Sequence, residues 1–240
     1  MSKTILRDQR IYLDGYEVSS RSNTCQIQAS KEVKDVTTFS KTDREKLSGL
    51  FDFTFGAGGF MEIDAVDNAL WVELNGSDMV VTVTSETQTV GGTAYLMKAI
   101  ESSIQILGAV GDAAPFQIGA AGASMMTKGM ILHLPSATIT ATGNGAVQQY
   151  PDASTGKKLK LAIHVLDASG TNPSLTVTLK SSAVAGMTSP MDVVVSQALT
   201  GIGAQYLEAM LTSNNTYFRL SFAVAGTSPS FTALIAFAII

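Results

Sequence analysis

From Lys158 to Val165 the chain alternates with period two: Leu159, Leu161, Ile163 and Val165 stand on one side, Lys158, Lys160 and His164 on the other. That period places successive side chains on opposite faces of an extended strand, and a helix cannot sort them so. The rhythm returns at Leu175, Val177 and Leu179 against Thr176, Thr178 and Lys180. Further strands are predicted at Met130–Leu134, Thr138–Thr142, Val193–Ser196, Gln205–Leu211, Phe218–Val224 and Phe231–Ile239. The turn-forming runs Asp167-Ala-Ser-Gly170 and Gly226-Thr-Ser-Pro229 are expected to separate neighbouring strands. Eight short strands with turns between them predict a β-sandwich or jelly-roll over residues 129–240.

The preceding residues read as strands more loosely, at Gln26–Val33, Phe51–Phe55, Met79–Ser85, the second half of Thr93–Val110, and Phe116–Ala123. Phe51, Phe53 and Phe55 share a face, and Gly56, Gly58 and Gly59 mark a bulge or a close backbone approach. Two helical features are predicted. Thr42 with Glu45 fits a capping box and one helical turn at 40–48, ended by Gly49. Val66, Ala69, Leu70 and Glu73 keep helical spacing between Asp64 and Leu74. The expected class is all-β with one short helix.

Charge divides the chain. Residues 1–128 carry 11 Lys/Arg and 16 Asp/Glu, whereas residues 129–240 carry 5 and 4. The shift predicts a boundary between a first domain, 1–128, and a second β-sandwich domain, 129–240. Charged residues are only 15% of the whole and hydrophobic ones 45%, so apolar surface is ample to offset ordering entropy. Between Glu62 and Glu86 the residues Glu62, Asp64, Asp67, Glu73, Asp78 and Glu86 stand without a Lys or Arg. They form either a solvated acidic face or a surface that must not hold a polyanion, since like charge repels phosphate.

Chemistry is sparse. The single cysteine, Cys25, excludes an internal disulfide, and with two histidines no zinc ligand set exists. His133, in Met-Ile-Leu-His-Leu-Pro, reads as a core or interface residue, and His164, beside Lys160, as a solvated one. No nucleophile elbow, dinucleotide loop or phosphate loop occurs. Asp64 and Asp67 sit at a predicted helix start, where the dipole alone favours carboxylates. Lys157-Lys158 with Lys160 lacks interleaved aromatics for nucleic-acid binding. No signal peptide opens the chain, and the apolar run Phe231–Ile240 is half a membrane span. A non-enzymatic protein made in the cytoplasm, with no cofactor, metal or membrane partner, is expected.

One stretch remains, from Asp35 to Phe60. Asp35-Val-Thr-Thr-Phe39, Arg44-Glu45 and Leu47-x-Gly49-Leu50 lead into the aromatic strand ending at Phe55 and a glycine-rich segment ending at Phe60. The predicted helix at Asp64–Leu74 and Gly108-Ala-Val-Gly111-Asp112 before Phe116 follow in order. Over residues 10–128 this order resembles the major tail (tail tube) proteins of long-tailed bacteriophages. The resemblance implies a tail-tube-type β-sandwich whose subunits join edge to edge into homo-oligomeric rings, stacked around a channel for DNA that passes without specific binding. It implies a virion tail location and other tail proteins as partners. It further implies that the loop reaches the next ring through Asp35, Thr37, Thr38, Phe39, Arg44 and Glu45, with Phe39 as apolar anchor. An acidic lumen would draw on the Glu62–Glu86 group. Residues 129–240 would then either decorate a hexameric ring or act as a diverged second tube domain in a trimeric, pseudo-six-fold one. A capsid decoration protein and a receptor- or carbohydrate-binding phage structural protein are the alternatives.

Overall fold

The computed structural model describes residues 8–62, 71, 76, 78–85, 88–109 and 112–240. Their strands are β1 (Arg10–Leu13), β2 (Tyr16–Glu17), β3 (Ser22–Asp35), β4 (Lys46–Phe60), β5 (Met79–Thr84), β6 (Thr93–Ile106) and β7 (Pro115–Gly122). There follow β8 (Thr127–His133), β9 (Gly143–Asn144), β10 (Gln148–Gln149), β11 (Lys158–Ser182), β12 (Met191–Val195), β13 (Gly203–Met210) and β14 (Tyr217–Ile239). The fold is all-β, with antiparallel register throughout the described ladders. The expected helix at Asp64–Leu74 lies outside the described residues except for Trp71, whose side chain is exposed.

The chain makes two compact units. One gathers Met1–Ser20, Val80–Leu96 and Thr127–Ile240; the other gathers Arg21–Met79 and Met97–Met126.

The spine of the first unit is the β11–β14 ladder, which runs from Leu159↔Ile239 to Ser182↔Tyr217. The predicted turns at Asp167–Gly170 and Gly226–Pro229 do not separate strands. They are bends within β11 and β14, where the register shifts but the ladder continues. Two similar tetrapeptides, Gly170-Thr-Asn-Pro173 and Gly226-Thr-Ser-Pro229, meet there at Thr171↔Thr227. Gly170 and Gly226 hold φ of +111° and +114°, which L side chains rarely adopt. A Cβ on Gly170 would lie 2.6 Å from the Ser228 carbonyl oxygen, and one on Gly226 2.7 Å from that of Asn172. The bend lets both halves of each strand feed one core: Leu161, Ile163, Leu175 and Val177 cluster with Phe222, Ile235 and Phe237. β13 pairs with the first half of β11 and β12 with the second.

The other face of β11 is covered too, which corrects the reading of His164 and Lys160 as solvated. Ala162, Leu234, Ala236 and Ala238 pack with Tyr12, Val80 and Leu96 in a second cluster. His164 is 0% exposed and Lys160 2%. The Gly15 N–H donates to His164 Nδ1 (3.4 Å), so the neutral ring carries its proton on Nε2, 2.9 Å from Thr82 Oγ1. Burial pushes the His164 pKa down to about 3. Lys160 Nζ lies 3.8 Å from Glu208 and 5.9 Å from the Tyr206 ring centroid, and burial, ahead of the pull of Glu208, lowers its pKa.

Among the described residues the second unit is a four-stranded antiparallel sheet in the order β3–β4–β7–β6, the last contributing its later residues. Phe53, Phe55, Phe116, Ile118 and Ala120 are buried on one face. Phe51 shares their alternation but lies beyond the covered part of β4 and is exposed.

Candidate assembly surface

β3 and β4 form a hairpin whose ladder extends from Ser22↔Gly59 to Asp35↔Lys46. Its proximal half belongs to the sheet and its distal half stands exposed. Hydrogen bonds around Asp35 close the end. Asp35 Oδ1 accepts from the Thr37 N–H (3.0 Å) and hydroxyl (2.5 Å), and Thr37 Oγ1 accepts from the Glu45 N–H (3.0 Å). These bonds to the charged form hold the Asp35 carboxyl below its usual pKa. Val36 N–H donates to Glu45 O (2.9 Å), and Lys41 Nζ lies 2.7 Å from Glu45 Oε1. The Glu45 carboxylate therefore faces Lys41, and no helical turn forms at 40–48. Gly49, expected to end that turn, lies within β4 opposite a register shift, where a Cβ would sit 2.7 Å from a Glu32 carboxylate oxygen.

Of the six residues the resemblance singles out, Asp35, Thr37 and Glu45 thus interact directly with one another. Thr38 accepts the Lys41 N–H through its carbonyl (3.0 Å), while Phe39 and Arg44 project from the same loop and are exposed. Phe39 is fully exposed at 113% of its reference area and Leu50 is 82% exposed; Val33, Leu47 and Phe51 add to the apolar surface of the distal hairpin. Water gains nothing from contact with these side chains, and exposed apolar patches mark interaction surfaces.

The sheet of the second unit has two edges. Among the described residues β3 pairs with β4 alone, and the later part of β6 pairs with β7 alone. Unpaired strand edges present ladder donors and acceptors to another chain.

The exposed face between these edges is assembled row by row. Gln26 stands opposite Gly56, which faces Gly119, which faces Ser103. The next row is Thr24, Gly58, Gln117 and Gln105, and the preceding one Gln28, Thr54, Ala121 and Ile100. These rows contain no ionisable residue, and a groove of about 500 Å³ runs over the rows of Gln26 and Thr24. The alternation of β4 showed which residues share this face, but only pairing with β7 and β6 shows that their partners are neutral as well.

The acidic group is partly visible. Glu62 lies 3.4 Å from Arg21 and Asp78 2.5 Å from Lys98, cations distant in sequence. Asp64, Asp67, Glu73 and Glu86 lie outside the described residues. His133 lines a separate cleft of about 440 Å³ with Val90, Ile139 and Phe222, its ring 5.2 Å from that of Phe222 in an edge-on arrangement. Burial lowers its pKa, and the Ala137 backbone opposes that shift. Among the described residues no group of His, Cys, Asp and Glu is arranged to hold a metal ion, and no helix is long and apolar enough to cross a membrane.

No protein-family model and no curated protein matches the chain. Among solved structures, the chain is similar to a component of the virion of a native gene transfer agent particle, with a TM-score of 0.44 and 19% identity over 50% of this chain and 95% of that one. It is similar to the SPP1 Dit protein, described as a hub adsorption apparatus of Gram-positive-infecting phages, with a TM-score of 0.38 and 8% identity over 98% and 100% of the two chains. A chain of the phage p2 baseplate gives a TM-score of 0.33 at 7% identity, over 96% of this chain and 98% of that one.

Proposed function

We propose that this protein is a structural subunit of a phage-type tail, located in the virion, that joins edge to edge into rings and stacks ring on ring around a passage for DNA. The observation that carries this reading is the combination of two sheet edges open among the described residues, β3 and the later part of β6, with one long protruding hairpin in the same unit. Edge-to-edge addition satisfies the backbone groups of both edges, and a closed ring leaves no edge over. A head-to-tail contact that does not close generates a filament, and the hairpin end supplies an apolar surface for one. Asp35, Thr37 and Glu45 shape the loop, so that Phe39 anchors in the next ring while Arg44 sets register through charge. The role is assembly, with other tail proteins as further partners.

The test is negative-stain electron microscopy of the purified protein at rising concentration, with a Phe39→Ala, Arg44→Glu double variant beside it. Tubes or stacked rings from the wild type, reduced to single rings in the variant, are expected. Wild-type particles that remain monomeric at every concentration would overturn the ring reading. Tubes of equal length from the variant would overturn the stacking role of the loop.

A further inference from the structure

We infer that the bore of the assembled ring is lined by the open face of the β3–β4–β7–β6 sheet, whose three four-stranded rows carry no charge, so that a polyanion moves past them neither held nor repelled. The inference rests on the ring reading and assigns the face and its chemistry. When sheets close edge to edge, one face of each turns to the bore and the other turns outward. Here one face is already committed: Phe53, Phe55, Phe116 and Ile118 are buried on it within the protomer, and whatever covers them would have to occupy the bore. The face left for the bore carries Gln26, Gly56, Gly119, Ser103, Gln117 and Gln105 across adjacent rows, and the nearest charges on the same alternation, Asp52 opposite Ser30 and Lys98 held by Asp78, lie beyond the row of Gln28 and Ile100.

The electrostatics of that face suit transit. A lysine or arginine there would bind phosphate and release counterions, a gain that must be reversed at every step of movement. A carboxylate would raise a barrier to entry. Amides and hydroxyls exchange hydrogen bonds with water and with phosphate on similar terms. Where Glu62 and Asp78 are described they face Arg21 and Lys98, so part of the acidic group is offset locally. Glycines on the two central strands keep the face low. At Gly56 an added Cβ would meet nothing nearer than the Ile118 carbonyl at 3.7 Å, so a larger side chain there probes the bore without disturbing the fold.

The test places one thiol on this face in a chain freed of its native cysteine: Cys25→Ser with Gly56→Cys, and separately Cys25→Ser with Gln117→Cys. Each is reacted, as free subunits and as tubes verified by microscopy, with a small maleimide and with a maleimide carried on a globular protein. Free subunits should react with both reagents. Tubes should react with the small one, while the bulky one, which a narrow bore excludes, leaves the thiol largely unreacted. Equal reaction of tubes with both reagents would put the face outside, and protection from both would bury it between subunits; either result overturns the inference. Failure of the wild type to form any tube is a different failure, that of the ring reading itself. A second arm adds fluorescent duplex DNA at low salt. Wild-type tubes should retain none, and Gln26→Lys, Gln117→Lys tubes should retain it with steep salt dependence. Retention by wild-type tubes would overturn the neutral-bore chemistry.

Discussion

At His164 burial decides protonation. The folded-state pKa is pushed down to about 3, whereas an unfolded imidazole titrates near 6.5. Above pH 6.5 the ring is neutral in both states and contributes no pH dependence. Below it the unfolded chain takes up a proton that the folded chain refuses, so stability falls by up to about 1.4 kcal/mol per pH unit between roughly 6.5 and 3. Urea unfolding at pH 7, 5.5 and 4.5 should show that slope, and His164→Gln should flatten it. At Gly170 the constraint is steric. Gly170→Ala forces a Cβ against the Ser228 carbonyl at a φ of +111°, and is expected to lower the urea midpoint by an amount worth about 1–3 kcal/mol. Neither property was legible in sequence. Period two tells which residues share a face, and so grouped His164 with Lys160, but it cannot tell that a second layer covers both.

Among the elements, the β3–β4 hairpin separates stability from association along its own length. Phe53 is 2% exposed, and Phe53→Ala should cost about 3–5 kcal/mol in denaturant unfolding. Leu50, three residues earlier and exposed, should change stability by less than about 0.5 kcal/mol on conversion to Ala while raising the concentration needed for tubes. If Leu50→Ala left that concentration unchanged, the apolar surface of the distal hairpin would have no part in stacking. The hairpin's strands were partly visible in the alternation of Gln26–Val33 and Phe51–Phe55. Its length was not, because extension to Asp35 and Lys46 depends on register between partners. The same holds for β11 and β14, which read as four short strands. Turn-forming residues at Gly170 and Gly226 signal a change of direction, and only the continuing ladder distinguishes a bend from an end. The capping-box pattern at Thr42 and Glu45 failed because a closer arrangement, Glu45 with Thr37 and Lys41, took up both the backbone and the side chain.

For the whole molecule, the all-β class follows from alternation and composition, since both report local geometry. The pairing of distant strands does not, and the cations opposite Glu62 and Asp78 are consequences of that pairing. Assembly through backbone edges and an apolar hairpin should be only weakly screened by salt. The critical concentration for tubes, measured by sedimentation, is therefore expected to shift by less than about threefold between 0.1 M and 1 M salt. A larger rise would place ion pairs rather than edges in charge of association.

The division of the chain also orders its birth. Residues 21–79 and 97–126, the whole of the four-stranded unit, leave the ribosome before β11 is made, whereas the other unit waits for β14, its spine and last strand. The unit proposed to polymerise can thus be present while its companion still lacks a core, and a nascent chain bearing open strand edges is exposed to premature self-association for as long as the remainder takes to translate. Translation pace between residues 126 and 239 therefore becomes a quantity that selection can act on.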